Sequence, residues 1–233
     1  MGTHSEPEAD STRVEVVRVF TDSCGRLGNA LGIARAGDVA EADHQALAAR
    51  AGFSETVVVA DPVAEVARLR IYTPAMELPF AGHPSVGTAW WLAEQGTPVR
   101  VLDVPAGPVE VQLGEGLTWI RARANWAPDF TFHQLADPAE LDELRPHDFT
   151  GGPHYLWAWA DEMRGSVRSR MFAPTMGIAE DAATGAAAVA LTALLRQGLK
   201  ITQGAGSQLF TEWDSDGWVR LGGRVVADSV IEI

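Results

Sequence analysis

The sequence predicts an α+β fold of two pseudo-symmetric halves, each a mostly antiparallel β-sheet barrel wrapped around a central α-helix. Three observations lead there. Short valine-rich segments with a period near two recur along the chain. Two helical segments are unusually apolar, one of them around nearly its whole circumference. A strand–loop–helix pattern also occurs twice in the same order.

Taken in chain order, the strand candidates are Val14–Phe20, Thr56–Ala60, Arg68–Thr73, Val99–Val104, Val109–Leu113, Thr118–Ala122, Tyr155–Ala160, Val167–Phe172 and Val225–Ile231. Gly and Pro punctuate them at short intervals, which favours antiparallel connections. Glu41–Arg50 reads as an amphipathic surface helix. Asp137-Pro138-Ala139-Glu140 reads as a capped helix start, with Asp as cap, Pro at the first helical position and Glu three residues on. Ser85–Glu94 and Thr184–Leu195 are the apolar helices. The second, TGAAAVALTALL, is too short to span a bilayer and must be enclosed by protein.

The repeat ties these pieces together. Arg70-Ile-Tyr-Thr-Pro74 is echoed by Arg170-Met-Phe-Ala-Pro174. Each proline leads into a loop, a glycine at a helix start (Gly87, Gly185), an apolar helix and a Gln-Gly pair (Gln95-Gly96, Gln197-Gly198). The expected division is 13–105 for the first half and 106–233 for the second, with the last strand free to return to the first. Residues 1–12, polar and acidic, are expected to be a disordered tail.

The formal net charge of -13 excludes nucleic acid and anionic membranes as natural partners, since both would repel the chain. That leaves small molecules, among them a carboxylate drawn to local positive potential. Cys24 is the only cysteine, so neither an internal disulfide nor a cysteine-based zinc knot can form. The N-terminus lacks the basic and apolar regions of a signal peptide, and no apolar run reaches membrane-spanning length; a cytoplasmic protein is expected. His4, His44, His133, His147 and His154 have no ligand spacing, Asp214-Ser-Asp216-Gly217 reads as a turn, and no metal site is expected. There is no P-loop, no G-x-G-x-x-G and no G-x-S-x-G.

Pseudo-symmetry would bring together the two loops that precede the apolar helices, Pro79–Ser85 and Gly177–Gly185. Helix starts carry N–H groups without intrahelical partners, and glycines there let a carboxylate approach the backbone. His83, ahead of Pro84, is expected at the cap, where the helix field disfavours imidazolium. The same field should favour the carboxylate of Asp181. Each also has a plain structural reading, as a capping histidine and an N-terminal dipole partner. Glu55, read bare, is a strand-end glutamate. Facing a cleft, its pKa would rise towards the proton-shuttling range.

These segments together resemble the PhzF-like family of phenazine-biosynthesis proteins and their relatives. The stretches that carry the resemblance are Val19-Phe-Thr-Asp22 with Gly28-Asn-Ala-Leu31, Phe53-Ser-Glu-Thr56, and Tyr72-Thr-Pro74 with Glu77-Leu-Pro-Phe-Ala-Gly-His-Pro-Ser85. Phe172-Ala-Pro174 with Glu180-Asp-Ala-Ala-Thr-Gly185, and Gln203-Gly204, complete them. The resemblance implies a diaminopimelate epimerase-like fold with its site between the halves, an isomerase working without metal or cofactor, and a homodimer. By similarity Glu55 would be the general acid/base, with His83 and Asp181 assisting. Gly82, Ser85, Thr184, Gly185 and Ala186 would contact the ligand, the two glycines through backbone donors. Fold relatives that racemise amino acids use two thiols. With Cys24 alone, removal and return of a proton by one carboxyl group fits better.

Two departures from the family pattern bear on substrate. Ala186 stands where DPATGSA has its serine, and losing one charge-assisted hydrogen bond costs about 1.5–3 kcal/mol of binding. Ala30 replaces the proline of a GNP motif. A non-catalytic small-molecule-binding protein on the same scaffold is the alternative reading.

Overall fold

In the computed structural model, which describes residues 11–233, the first part of the chain runs β1 (Arg13–Thr21), β2 (Asn29–Arg35), α1 (His44–Ala51), β3 (Glu55–Val59), β4 (Val66–Tyr72) and β5 (Glu77–Leu78). It continues with α2 (Gly82–Glu94), β6 (Val101–Val104), β7 (Gly107–Gly114) and β8 (Leu117–Arg123). The second part runs β9 (Thr131–Gln134), α3 (Pro138–Glu143), β10 (His154–Asp161), β11 (Ser166–Phe172), α4 (Gly185–Leu195), β12 (Lys200–Gln203), β13 (Ser207–Trp213) and β14 (Trp218–Glu232). Each expected strand and helix corresponds to one of these elements. α3 begins with the expected capping box, the Asp137 side chain accepting from the Ala139 N–H at 2.8 Å. No helix is long and apolar enough to cross a membrane among the described residues.

The duplication extends beyond the sequence echo. In the first unit β2 pairs parallel with β3, β3 antiparallel with β4, β4 parallel with β6, and β6–β7–β8 follow antiparallel. In the second, β9 through β14 repeat the same signs in the same order. The pairing pattern of the first unit runs on through β6–β8 to Arg123. The sequence echo ends at the helix, and nothing local marks β6–β8 as its continuation. Of the expected tail, residues 1–10 lie outside the described residues. Thr12, within the expected tail, exchanges backbone hydrogen bonds of 2.8 and 3.0 Å with Ile233.

β14 joins the units. Its first part pairs with β8 and β13, and its second part, from Arg224 on, pairs with β1. This closes an eight-stranded ring of β1, β2, β3, β4, β6, β7, β8 and β14. The crossing depends on Gly222 and Gly223. A Cβ on the first would lie 2.4 Å from the Trp119 ring, and on the second 2.2 Å from the Phe20 ring. The absent side chains let two aromatic rings press onto the strand where it changes partners.

α2 packs inside the closed ring, against β1, β2, β3, β8 and β14. Residues 82–89 of α2 are all buried, as the apolar circumference requires. α4 packs against β13, β14 and β8 and is buried from Gly185 to Val189. One continuous apolar core, including Val86, Leu92, Val189, Leu191 and Leu221, runs through both units.

Candidate active site

The two central helices meet start to start. A Cβ on Gly82 would lie 2.9 Å from the Gly185 carbonyl carbon, and one on Gly185 would lie 2.9 Å from the His83 nitrogen. Leu221 of β14 fills the remaining side, 2.7 Å from the first such Cβ and 2.9 Å from the second. Only glycine at both positions allows this approach, so two sets of unpaired helix N–H groups converge on one place.

The cap of α2 is Ala81, in extended conformation, and not His83. Gly82, His83 and Pro84 form the first turn, whose N–H groups lack intrahelical acceptors, so proline is tolerated throughout it. The turn closes through Ser85, whose N–H and hydroxyl both donate to the Ala81 carbonyl, at 3.3 and 2.8 Å. Ser85 is fully buried and its hydroxyl is turned back into the helix.

Glu55 opens β3, in register with Leu31 of β2. A Cβ on Gly32 would lie 2.8 Å from Phe53, so the missing side chain lets that ring settle beside β2, two residues ahead of Glu55. The Glu55 side chain is 19% exposed, with Oε2 3.4 Å from His83 Nδ1. Glu55 Oε2 and His83 Nε2 are both buried without a hydrogen-bond partner. Unsatisfied buried polar atoms are rare and call for an explanation.

Asp181 completes the group. Its Oδ1 accepts from Asn29 Nδ2 at 2.7 Å and its Oδ2 from the Thr184 hydroxyl at 2.5 Å. The cap of α4 is Thr184. Gln203, fully buried, organises this corner: its Nε2 donates to the Asp181 carbonyl at 3.0 Å and to Thr184 Oγ1 at 2.8 Å. Its Oε1 accepts from the Thr184 N–H at 3.1 Å and the Tyr155 hydroxyl at 3.2 Å. Because the Thr184 hydroxyl receives Gln203, its own proton is directed at Asp181. Ala186, in the first turn of α4, presents only a methyl group.

Burial dominates the electrostatics. It raises the Glu55 carboxyl, opposed in part by the Ser54 hydroxyl. It lowers His83 to about 4, opposed by the negative charge of Asp181 and by the Ala30 backbone. It also raises Asp181 to about 6, reinforced by Glu55 and opposed by Thr184, His83 and Asn29. His83 is thus neutral at pH 7, as expected, but desolvation is the largest cause. For Asp181 the helix field expected to favour the carboxylate is outweighed. Two carboxyl groups of raised pKa beside a neutral imidazole can hold and pass a proton near neutral pH.

A cleft of about 400 Å³ opens between the loop after β4, the loop after β11 and the turn before β3. Glu55 and Asp181 are not on its wall; each directly follows a residue that is, Ser54 and Glu180. Among the described residues no group of three His, Cys, Asp or Glu side chains is placed to hold a metal ion. Elsewhere Asp214 and Asp216 both accept from Arg121, at 3.2 and 2.9 Å, and Cys24 is exposed and free.

Asn29 and Gln203 are the site residues that reasoning from sequence did not single out. Both lie in stretches that carry the family resemblance, and that was the available signal. The chain is similar to known proteins. The profile of the PhzC-PhzF family, phenazine biosynthesis-like proteins, matches residues 17–125 and 154–217. Trans-2,3-dihydro-3-hydroxyanthranilate isomerase of Pseudomonas aeruginosa is 29% identical over 197 residues, covering 69% of this chain and 71% of that protein. The Pseudomonas fluorescens protein of the same name is 32% identical over 190 residues, 66% of this chain and 68% of its own. A phenazine biosynthesis PhzC/PhzF protein from Clostridium difficile has the same fold, with a TM-score of 0.74 at 19% identity over 95% of this chain and 99% of that one.

Proposed function

This chain belongs to the phenazine biosynthesis-like family and is an isomerase, and from that premise we propose that Glu55 moves a proton between carbons of a small carboxylated, amino-acid-like or cyclic unsaturated metabolite. The observation that carries the reading is the pair of buried, unpartnered atoms, Glu55 Oε2 and His83 Nε2, beside two converging helix starts. A substrate carboxylate accepts from first-turn N–H groups, where the helix field favours an anion. This fixes the reacting carbon close to Glu55.

Glu55, as carboxylate, takes the proton from one carbon and returns it to another on the same face. Burial raises its pKa, which favours the form that holds the proton and makes the carboxylate a stronger base. Neutral His83 donates a hydrogen bond to negative charge developing on the substrate. Asp181, fixed by Asn29 and Thr184, disfavours a second full charge beside it and so helps keep the Glu55 proton available. Every step uses side chains and backbone of this chain.

The test is solvent exchange, with trans-2,3-dihydro-3-hydroxyanthranilate as the probe. In D₂O the protein should place deuterium on a carbon of the product. Glu55→Gln, with the same shape and no transferable proton, should lose incorporation by at least about 10³-fold while binding persists. Full exchange in that variant removes Glu55 as carrier. Binding without exchange in the parent protein identifies a non-catalytic binding protein.

A further inference from the structure

Resting on that placement of the reacting end, we propose that Met76 and Met176 are specificity-determining residues: a pair of thioether lips that grip an uncharged, apolar part of the substrate and leave no place for a second anionic group.

The two methionines hold equivalent positions in the duplication, each two residues after the proline of the repeated motif, in Pro74-Ala-Met76 and Pro174-Thr-Met176. Both line the cleft, one from each unit. Both are partly open to solvent, 57% and 44% exposed. Their backbones are pinned. Thr73 donates its N–H to the Met76 carbonyl at 2.8 Å and accepts the Met76 N–H on Oγ1 at 3.0 Å. The Met176 N–H donates to the Ala173 carbonyl at 3.0 Å, and Ala173 and Ile178 exchange bonds of 3.0 and 3.1 Å across the loop. Anchored main chains carrying flexible, polarisable thioethers make an adaptable apolar grip.

Charge supports the same assignment. Phe53, Pro74 and Ile178 continue the apolar wall, and among the described residues no Lys or Arg lines it. Glu180, the one charged lining residue among those described, has both oxygens on Arg170, at 2.8 and 2.6 Å. Arg70, at the equivalent position of the first unit, is held by both oxygens of Glu77. Neither guanidinium is free to receive an anion. Glu55 and Asp181 lie beside the cleft and add negative potential. One substrate carboxylate is served by the helix starts. A second would meet a mostly apolar wall with no counter-charge and would give up water contacts without a compensating partner.

Three probes test this by ligand-observed NMR titration: benzoate, with one carboxylate on an apolar ring; acetate, without the ring; and phthalate, with a second carboxylate on the same ring. Benzoate should bind about tenfold or more tightly than either of the others. Met76→Ala and Met176→Ala should each weaken benzoate by about fivefold and leave acetate unchanged, whereas Met76→Leu should retain binding. Failure of benzoate to bind, phthalate binding as tightly as benzoate, or a Met76→Ala/Met176→Ala double variant with unchanged benzoate affinity overturns the proposal. Benzoate undergoes no proton transfer, so loss of the proposed chemistry in the deuterium experiment leaves this outcome readable on its own.

Discussion

Replacing Asp181 by Asn measures the electrostatic tension at the helix starts. Burial, reinforced by Glu55, lifts the Asp181 carboxyl from 3.8 to about 6. A group whose folded pKa is raised binds more protons folded than unfolded. Its stabilisation is therefore fully present below pH 3.8 and lost as pH rises through about 6. At about 1.36 kcal/mol per pH unit, the loss is of order 3 kcal/mol. His83 runs the opposite way. Its pKa falls from 6.5 to about 4, so the folded state binds fewer protons, and stability is gained as pH rises from about 4 to 6.5. Between pH 4 and 6 the two slopes oppose each other in the parent protein.

Asn at 181 removes the Asp181 limb and leaves the limbs of His83 and of Glu55, whose raised pKa slopes the same way as that of Asp181. It also disrupts the bond from the Thr184 hydroxyl, whose oxygen already accepts from Gln203, at a pH-independent cost of about 1–2 kcal/mol. Urea unfolding followed by tryptophan fluorescence at pH 4, 5.5 and 7, at constant ionic strength, separates these contributions. The variant should be the less stable protein at pH 4. It should then gain about 3 kcal/mol relative to the parent by pH 7. A variant-minus-parent difference that does not change with pH would refute the claim that Asp181 carries a buried, destabilised charge.

Two further substitutions probe the scaffold of the site, and a third serves as a control. Gly185→Ala places a Cβ 2.9 Å from the His83 nitrogen and 3.0 Å from the Gly82 carbonyl carbon, so the helix starts must separate; a loss of about 2–3 kcal/mol is expected in urea unfolding. Gly152→Ala, which meets nothing within 4 Å, should change stability by less than about 0.5 kcal/mol. Gln203→Leu strands the buried Thr184 N–H and Asp181 carbonyl, costing about 2–4 kcal/mol. Because Leu also frees the Thr184 hydroxyl to turn away from Asp181, the pH at which the Asp181 contribution is lost should move upward. An unmoved transition would show that Gln203 only fills space.

Much of the architecture was legible because it is written locally. TGAAAVALTALL has no polar face and had to be enclosed, and α4 is buried from its first turn. Valine-rich alternation marked β1, β3, β4 and β11, and the Asp137 capping box marked α3. β2, the two-residue β5, β9, β12 and β13 escaped notice. β2 carries Gly32 in its middle, β9 and β12 have four residues each, and β13 mixes Gln, Thr and Glu with its apolar residues. Such strands form because neighbours on both sides offer backbone partners, a condition that no window of sequence contains.

The candidate site divides in the same way. Gly82, His83, Asp181 and Gly185 could be nominated because glycines and polar residues ahead of apolar helices have a local meaning. Glu55 could not, since a strand-end glutamate reads alike on a surface or in a hollow. The family resemblance nominated it, and the folded chain puts it 3.4 Å from His83. The cap of α2 fell two residues before the expected place, because Ser85 closes its turn on Ala81.

The sequence by itself determined the element types, the duplication, the enclosed helices and the absence of a second thiol, all of which follow from side-chain chemistry and short-range spacing. Tertiary structure alone decided that β14 closes the ring across Gly222 and Gly223, that Gly82 and Gly185 touch, and that Gln203 orients Thr184 towards Asp181. It also decided that burial is the largest influence on the protonation of His83 and Asp181. The physical reason is common to all of these. Desolvation and close backbone approach depend on which distant segments surround a group, and that is settled only when the strands have found their partners.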